Sequence, residues 1–171
     1  DYRRAIADYQ RVLACAPNAP MAAEAQLFLG HNCLWLGETQ NALLWYDRVL
    51  KGNPEPGVGE QARYYRGYCR ATTGTGSDPR GAIEDLSLTA ATAADPELRV
   101  RALGIMANCY EGLGGYEEAR MCLRAVLADC SPEFALFHPS TMHFMAHTYF
   151  CEGRYREAAE WLEDLLAQYP D

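Results

Sequence analysis

Residues 29–54 read LGHNCLWLGETQNALLWYDRVLKGNP, and the spacing inside this stretch decides the fold. Gly30 and Ala42 are small residues twelve positions apart, and Tyr46, Val49 and Pro54 follow them. Four other parts of the chain repeat much of this order. Self-similarity at a regular interval is the signature of a repeat protein, so we interpret the chain as an array of related repeats.

Apolar residues at steps of three and four predict amphipathic helices along the whole chain, and no useful length of it alternates with a period of two. Gly37 is placed to cap the helix that precedes it. Ser77 or Asp78, followed by Pro79, predicts that a helix begins after a long turn at residues 72–81. We therefore expect an all-α fold of about nine antiparallel helices.

Small and large residues recur in phase in the second helix of each repeat. Close packing explains the order, because Gly30 facing Ala42 would let two helices approach while Tyr46 fills the gap to the next repeat. The small residues are Ala5, Ala42, Ala82, Ala119 and Ala158, and the large residues four positions later are Tyr9, Tyr46, Leu86, Leu123 and Leu162. Three further small residues stand twelve positions before Ala42, Ala119 and Ala158, namely Gly30, Ala107 and Ala146.

This pattern resembles the tetratricopeptide repeat (TPR) family, most closely in the sequences LGGYEEA at residues 113–119 and GRYREA at residues 153–158. The resemblance implies a right-handed superhelical solenoid, and we expect a single array over residues 1–171. Its repeats would span about 1–18 (a half repeat), 21–56, 59–96, 98–132 and 137–171. The chain begins on Asp1 and on the second helix of a repeat, so we expect a piece of a longer protein.

Residues 1–15 are expected to be an amphipathic helix with one buried face, and an apolar stripe predicts a helix at the other end of the chain. Pro17 and Pro20 would end the first of them. The apolar residues of the first helix are Tyr2, Ala5, Ile6, Tyr9, Val12 and Leu13, and those of the last helix are Ala158, Leu162, Leu165 and Leu166.

Composition narrows the classes of partner. The formal net charge is -8, which disfavours binding to nucleic acid, and no apolar run reaches the length of about 18 residues that a membrane span needs. Seven cysteines without a CxxC pair predict free thiols in a reducing compartment, and no signal peptide is seen, so we expect a cytoplasmic protein. We expect neither a cofactor nor an enzyme, because no nucleophile, base or paired carboxylates stand at motif spacing.

The TPR resemblance implies a concave groove, lined by the first helix of each repeat, that binds an extended peptide or a helix of a partner protein. The alternative is a structural arm that self-associates or contacts its own flanking domains; an enzyme is a distant third possibility. In either case some of the predicted groove side chains could instead pack against neighbouring helices of the same chain. The predicted groove residues are Leu27, Phe28, His31, Leu34, Trp35, Tyr64, Tyr65, Tyr68, Ile105, Asn108, Phe144 and His147, with Glu111, His143 and Phe150 beside them.

Two smaller patterns lie on the same helices. Arg63, Arg66 and Arg70 form a stripe that either contacts an acidic partner segment or is a solvated face paired with Glu60, Glu84 or Asp85. His143, His147 and Cys151 lie at i, i+4 and i+8, which is a weak candidate for a metal site without an evident fourth ligand.

Overall fold

The computed structural model describes residues 2–15, 21–72, 76–128 and 132–170, and these residues form nine α-helices and no strand. The prediction of an all-α fold of about nine helices is therefore confirmed for the described residues. The helices are α1 (Tyr2–Cys15), α2 (Ala22–Trp35), α3 (Thr39–Lys51), α4 (Pro56–Thr72), α5 (Pro79–Thr92), α6 (Pro96–Gly112), α7 (Tyr116–Leu127), α8 (His138–Cys151) and α9 (Tyr155–Gln168), and a 3-10 helix spans Pro132–Phe137. None of the described helices is long and apolar enough to cross a membrane.

Tight turns join α2 to α3, α6 to α7 and α8 to α9 into helical hairpins. Each turn contains a glycine with positive φ, namely Gly37, Gly114 and Gly153 at 75°, 78° and 82°. The N–H of the next residue donates to the carbonyl five residues before it, at 2.8 to 2.9 Å in all three turns. This is the hydrogen bond of a Schellman cap, in which the left-handed position favours glycine. The prediction that Gly37 caps α2 is confirmed.

The turn between α4 and α5 is longer, and part of it, residues 73–75, lies outside the described residues. Asp78 is the N-cap of α5: its side chain accepts a hydrogen bond of 2.9 Å from the Gly81 N–H, and Pro79 stands in the first turn. Of the two predicted caps, Asp78 is therefore the one used. The Asp78 N–H donates to the Arg70 carbonyl at 2.9 Å, which closes the turn onto the end of α4.

The chain divides into two compact units, unit 1 (Asp1–Ala94) and unit 2 (Asp95–Asp171). In unit 1, α1 packs on α2, α3 packs on α4, and the two complete hairpins are α2 with α3 and α4 with α5. In unit 2, α7 packs on α8 between the hairpins α6 with α7 and α8 with α9. The single array over residues 1–171 stays a prediction. The core of unit 1 contains Leu27, Cys33, Ala42, Tyr46, Val49, Ala62 and Cys69, and buried residues of unit 2 include Ala107, Ala119, Leu123, Met145, Ala146 and Ala158.

In the two complete hairpins of unit 1, a glycine of the first helix accommodates a large side chain from the second helix. A methyl group added to Gly30 would lie 2.8 Å from Cδ1 of Tyr46, so this glycine makes room for the Tyr46 ring rather than for Ala42. Gly67 has the same role in the next hairpin, where a methyl group would lie 2.8 Å from Cγ of Leu86. Sequence spacing missed Gly67 because the longer turn places it fifteen positions before Ala82 instead of twelve.

The terminal helices are helical as predicted but are less buried than their patterns suggest. No residue of α1 is fully buried, and Ala158 is the buried residue of α9. Leu162 and Leu166 are exposed, and Leu165 is half-buried. The predicted buried face of α1 is half-buried at Ala5, Ile6, Tyr9 and Leu13, and its Tyr2 and Val12 are exposed. Pro17 and Pro20 lie outside the described residues.

Candidate functional site

Burial separates the predicted groove residues into those that a partner could touch and those that hold the helices together. Phe28 and Trp35 of α2 are 45% and 73% exposed, and Tyr68 of α4 is also exposed. His31, Leu34 and Tyr65 are half-buried. Leu27 and Tyr64 were predicted in the groove, but they are only 3% and 7% exposed and their side chains pack in the interior of unit 1.

We define the aromatic face as Phe28, His31 and Trp35 of α2 with Tyr65 and Tyr68 of α4, and ring contacts join Phe28, His31 and Tyr65 within it. The centroids of His31 and Tyr65 are 4.3 Å apart, and those of Phe28 and His31 are 6.0 Å apart, both with edge-on geometry. The rings of α1 extend this surface, because Tyr9 stacks on Phe28 at 5.8 Å and Tyr2 stacks on Trp35 at 6.3 Å. Aromatic pairs at these separations favour one mutual orientation, so the face is preorganised.

His31 holds α2 and α4 together beneath the exposed rings. Its imidazole contacts the rings of Tyr46 and Tyr65, and burial lowers its pKa from 6.5 to about 4. The neutral ring is therefore the form present at pH 7. The Nε2 atom of His31 and the hydroxyl of Tyr46 are buried without a hydrogen-bond partner among the described residues. These two polar atoms are sites where a bound water would be stabilised.

Two of the three arginines of the α4 stripe, Arg66 and Arg70, form ion pairs inside unit 1. Arg66 donates from Nε to Asp85 at 2.8 Å and from Nη1 to Asp47 at 2.7 Å, while Arg70 donates from Nη1 to Asp85 at 2.9 Å. Burial lowers the pKa of Arg66, but these ion pairs outweigh that effect and raise it overall. Asp85 is 5% exposed. Of the two predicted alternatives, pairing with Asp85 is the one that the structure shows for Arg66 and Arg70. Contact of the arginine stripe with an acidic partner stays a prediction.

The first helices of unit 2 carry a more polar surface. Asn108 is exposed and donates to the Gly104 carbonyl at 2.9 Å, whereas Ile105 and Phe144 are half-buried. His143 and His147 are exposed on α8, one turn apart. Phe150 is exposed and its ring contacts Tyr155 at 5.3 Å. Unit 2 therefore presents an amide, imidazoles and the ring pair of Phe150 and Tyr155, whereas unit 1 presents the aromatic face.

In the structure, the residue that lies beside His147 and Cys151 is Glu111 of α6 and not His143. Nδ1 of His147 lies 2.7 Å from Oε1 of Glu111, and Sγ of Cys151 lies 3.9 Å from the same oxygen. Desolvation and the carboxylate of Glu111 raise the pKa of the Cys151 thiol. His143 was predicted as a ligand, but Glu111, His147 and Cys151 are the residues that the structure brings together.

A buried guanidinium group in unit 2 was missed by the sequence reading. Arg120 of α7 is 1% exposed, its guanidinium lies 4.3 Å from the centre of the Tyr149 ring, and its Nη2 is 2.8 Å from Glu152. Glu117 also pairs with Arg120, at 2.9 Å. Arg154 lies over the Tyr149 ring at 4.7 Å. The LGGYEEAR sequence gives no sign that its arginine is buried, because the ring of Tyr149 and the carboxylate of Glu152 come from α8 and the following turn.

Comparison with known proteins agrees with this architecture. Two family models, both described as tetratricopeptide repeat, match residues 1–55 and 98–171 and together cover about three quarters of the chain. No curated protein sequence matches the chain significantly.

Similar solved structures include MamA, at TM-score 0.80 and 18% identity; the match covers 99% of this chain and 86% of that one. MamA 41-end from Desulfovibrio magneticus RS-1 is similar at TM-score 0.68 and 18% identity, with coverage of 95% and 94%. A putative kinesin light chain of Podosopora anserina with nearly identical TPR-like repeats is similar at TM-score 0.74 and 20% identity, with coverage of 97% and 86%. At such low identity these likenesses concern the fold alone.

Proposed function

The chain belongs to the tetratricopeptide repeat family, and we propose that it captures a peptide or a helix of a partner protein on the aromatic face of unit 1. The TPR fold is in general a scaffold for protein interactions. The observation that supports this surface is the exposure of Phe28 and Trp35 above the half-buried His31 and Tyr65. Exposed aromatic side chains on a rigid support bury a large area at a small entropic cost, which is typical of binding hot spots.

The chemistry of the face indicates the chemistry of the partner. The side chains of the face are aromatic. The guanidinium groups of Arg66 and Arg70 on α4 are paired with the carboxylate of Asp85. An acidic or phosphorylated segment would therefore find little charge to bind. A segment with large apolar side chains on one side, spaced at three and four residues, would match the spacing of Phe28, His31 and Trp35 along α2.

A peptide selection on the purified chain tests this proposal. Peptides selected from a random display library are titrated against the wild-type chain and against Phe28→Ala and Trp35→Ala, with fluorescence anisotropy as the readout. We expect each variant to weaken binding by about tenfold or more, and the double variant by more than either, because hot-spot residues contribute about 2 kcal/mol or more each. Thermal melts should change little, since both side chains are exposed.

Leu44→Ala is the matched control. Leu44 is 60% exposed but lies on α3, the second helix of the same hairpin, so its removal should leave the peptide affinity unchanged. Full affinity in the Phe28 and Trp35 double variant would contradict the proposal. The alternative, a self-association arm, predicts instead that the double variant lowers the oligomeric state in sedimentation velocity without any peptide present.

A further inference from the structure

Three side chains with metal-binding chemistry converge in unit 2. Glu111 lies in the last turn of α6, and His147 and Cys151 are one turn apart on α8. One potential ligand atom from each residue lies within 4.8 Å of the other two. His147 and Cys151 are exposed and Glu111 is half-buried, so an ion has a path from solvent to all three.

The separations are close to those of a tetrahedral site. With the usual bonds from zinc to nitrogen, oxygen and sulfur, ligand atoms in a tetrahedron lie roughly 3.4 to 3.6 Å apart. Sγ of Cys151 is 3.8 Å from Nδ1 and 3.7 Å from Nε2 of His147, and it is 3.9 Å from Oε1 of Glu111. The His147 to Glu111 distance of 2.7 Å is that of a hydrogen bond and would open by about 0.7 Å as the ion replaces the proton.

We propose that unit 2 binds a zinc-class divalent cation through Oε1 of Glu111, one imidazole nitrogen of His147 and Sγ of Cys151. The thiol releases its proton to solvent when the bond from sulfur to the ion forms, and the imidazole binds through the nitrogen that carries no proton, while its single N–H proton stays on the other ring nitrogen. One thiolate and one carboxylate neutralise the two positive charges, and the neutral imidazole completes the set. Sulfur and nitrogen donors favour zinc and its neighbours over magnesium or calcium, which take oxygen ligands. A fourth position remains open to solvent.

Cobalt(II) is the probe for this site because its complexes with thiolate absorb in the near ultraviolet, whereas zinc is colourless. Cobalt is titrated into the full chain under reducing conditions, and zinc is then added in competition. We expect a cobalt–thiolate band that saturates at about one ion per chain and disappears on addition of zinc, which binds nitrogen and sulfur ligands more tightly than cobalt does.

Variants assign the ligands. Cys151→Ser should abolish the cobalt–thiolate band, and His147→Ala and Glu111→Gln should each weaken zinc binding by at least about tenfold. His147→Gln provides a second variant if His147→Ala does not fold. The controls are His143→Ala, one turn earlier on α8, and Cys15→Ser, which removes the exposed cysteine of α1; both should bind as the wild type does.

The stability readout is independent of the spectrum. Zinc should raise the melting temperature of the wild type and of His143→Ala, but not that of Cys151→Ser, because an ion that binds the folded state stabilises it by mass action. Absence of the thiolate band in the wild type, an unchanged band in Cys151→Ser, or loss of binding in His143→Ala equal to that in His147→Ala would each overturn the proposal.

Discussion

Replacing Gly30 with alanine should destabilise unit 1 even though alanine is the better helix former. The new methyl group would lie 2.8 Å from Cδ1 and 2.9 Å from Cζ of Tyr46, about 1 Å inside normal carbon contact. The ring is fully buried, so it cannot turn outward. Overpacking costs about 1–3 kcal/mol, and the gain in helix propensity offsets about 1 kcal/mol of it. We expect a net loss of up to about 2 kcal/mol in the free energy of unfolding.

Two other glycines provide a graded series. In Gly67→Ala the methyl group meets Cγ of Leu86 at 2.8 Å and Cβ of Asp85 at 3.2 Å. Leu86 is also fully buried, but a leucine side chain adjusts more easily than a ring, so we expect a smaller net loss of up to about 1 kcal/mol. In Gly104→Ala nothing lies within 4 Å, and the free energy of unfolding should rise by about 0.5–1 kcal/mol. Guanidinium unfolding followed by far-ultraviolet circular dichroism measures all three.

A double-mutant cycle connects the predicted loss to one contact. Tyr46→Leu should cost stability in the wild type, but it should cost at least about 1 kcal/mol less in the Gly30→Ala background because the smaller side chain relieves the overlap. If Gly30→Ala proved as stable as Gly104→Ala, or if the two substitutions were additive, the packing of α2 on α3 described above would be wrong.

Two buried polar groups of unit 1 should respond differently to pH and substitution. His31 has a pKa of about 4 in the folded chain and of about 6.5 when unfolded, so its neutral form contributes stability that is complete above pH 6.5 and is lost as the pH falls towards 4. Between pH 7 and pH 5 the free energy of unfolding should fall by about 1–2 kcal/mol more in the wild type than in His31→Phe; equal pH slopes would contradict this. Asp85→Ala should cost about 3–5 kcal/mol, because Asp85 is buried and pairs with two guanidinium groups. Asp47→Ala, at the exposed end of the same cluster, should cost about 1 kcal/mol or less, and similar losses in urea unfolding for both would refute the assignment.

Local periodicity was sufficient to predict the helices and most of the hairpin packing. The pair formed by Ala42 and Tyr46 lies on one face of one helix, so its spacing follows from the helical repeat and is visible in the sequence. The partner small residue lies across a turn, and its distance in sequence depends on the length of that turn. The tight turns containing Gly37, Gly114 and Gly153 keep that distance at twelve, whereas the longer turn before α5 changes it and hides Gly67.

Which side of a first helix reaches solvent was harder to predict. Leu27 and Phe28 are adjacent, yet one is in the core and the other is exposed. A first helix contacts its hairpin partner and the helix of the preceding repeat, so most of its circumference is covered and a rotation of 100° per residue moves a side chain between the two environments. The same uncertainty left two interpretations open for Arg66, contact with an acidic partner or pairing with a carboxylate of the same chain, because Asp47 and Asp85 are each nineteen residues away.

Pairs across neighbouring first helices become predictable once the small residues are aligned. His147 directly follows Ala146, and Glu111 stands four positions after Ala107, so these two side chains occupy positions +1 and +4 relative to the small residues of consecutive repeats. A search along α8 alone therefore chose His143 where the neighbour on α6 supplies Glu111. In unit 1, counting from Gly30 and Gly67, the same two positions hold Leu34 and Tyr68. The repeat thus provides one equivalent pair of positions in each unit. Leu34 and Tyr68 occupy this pair in unit 1, and the potential metal ligands Glu111 and His147 occupy it in unit 2. For this reason we assign peptide capture to the first unit and the cation to the second.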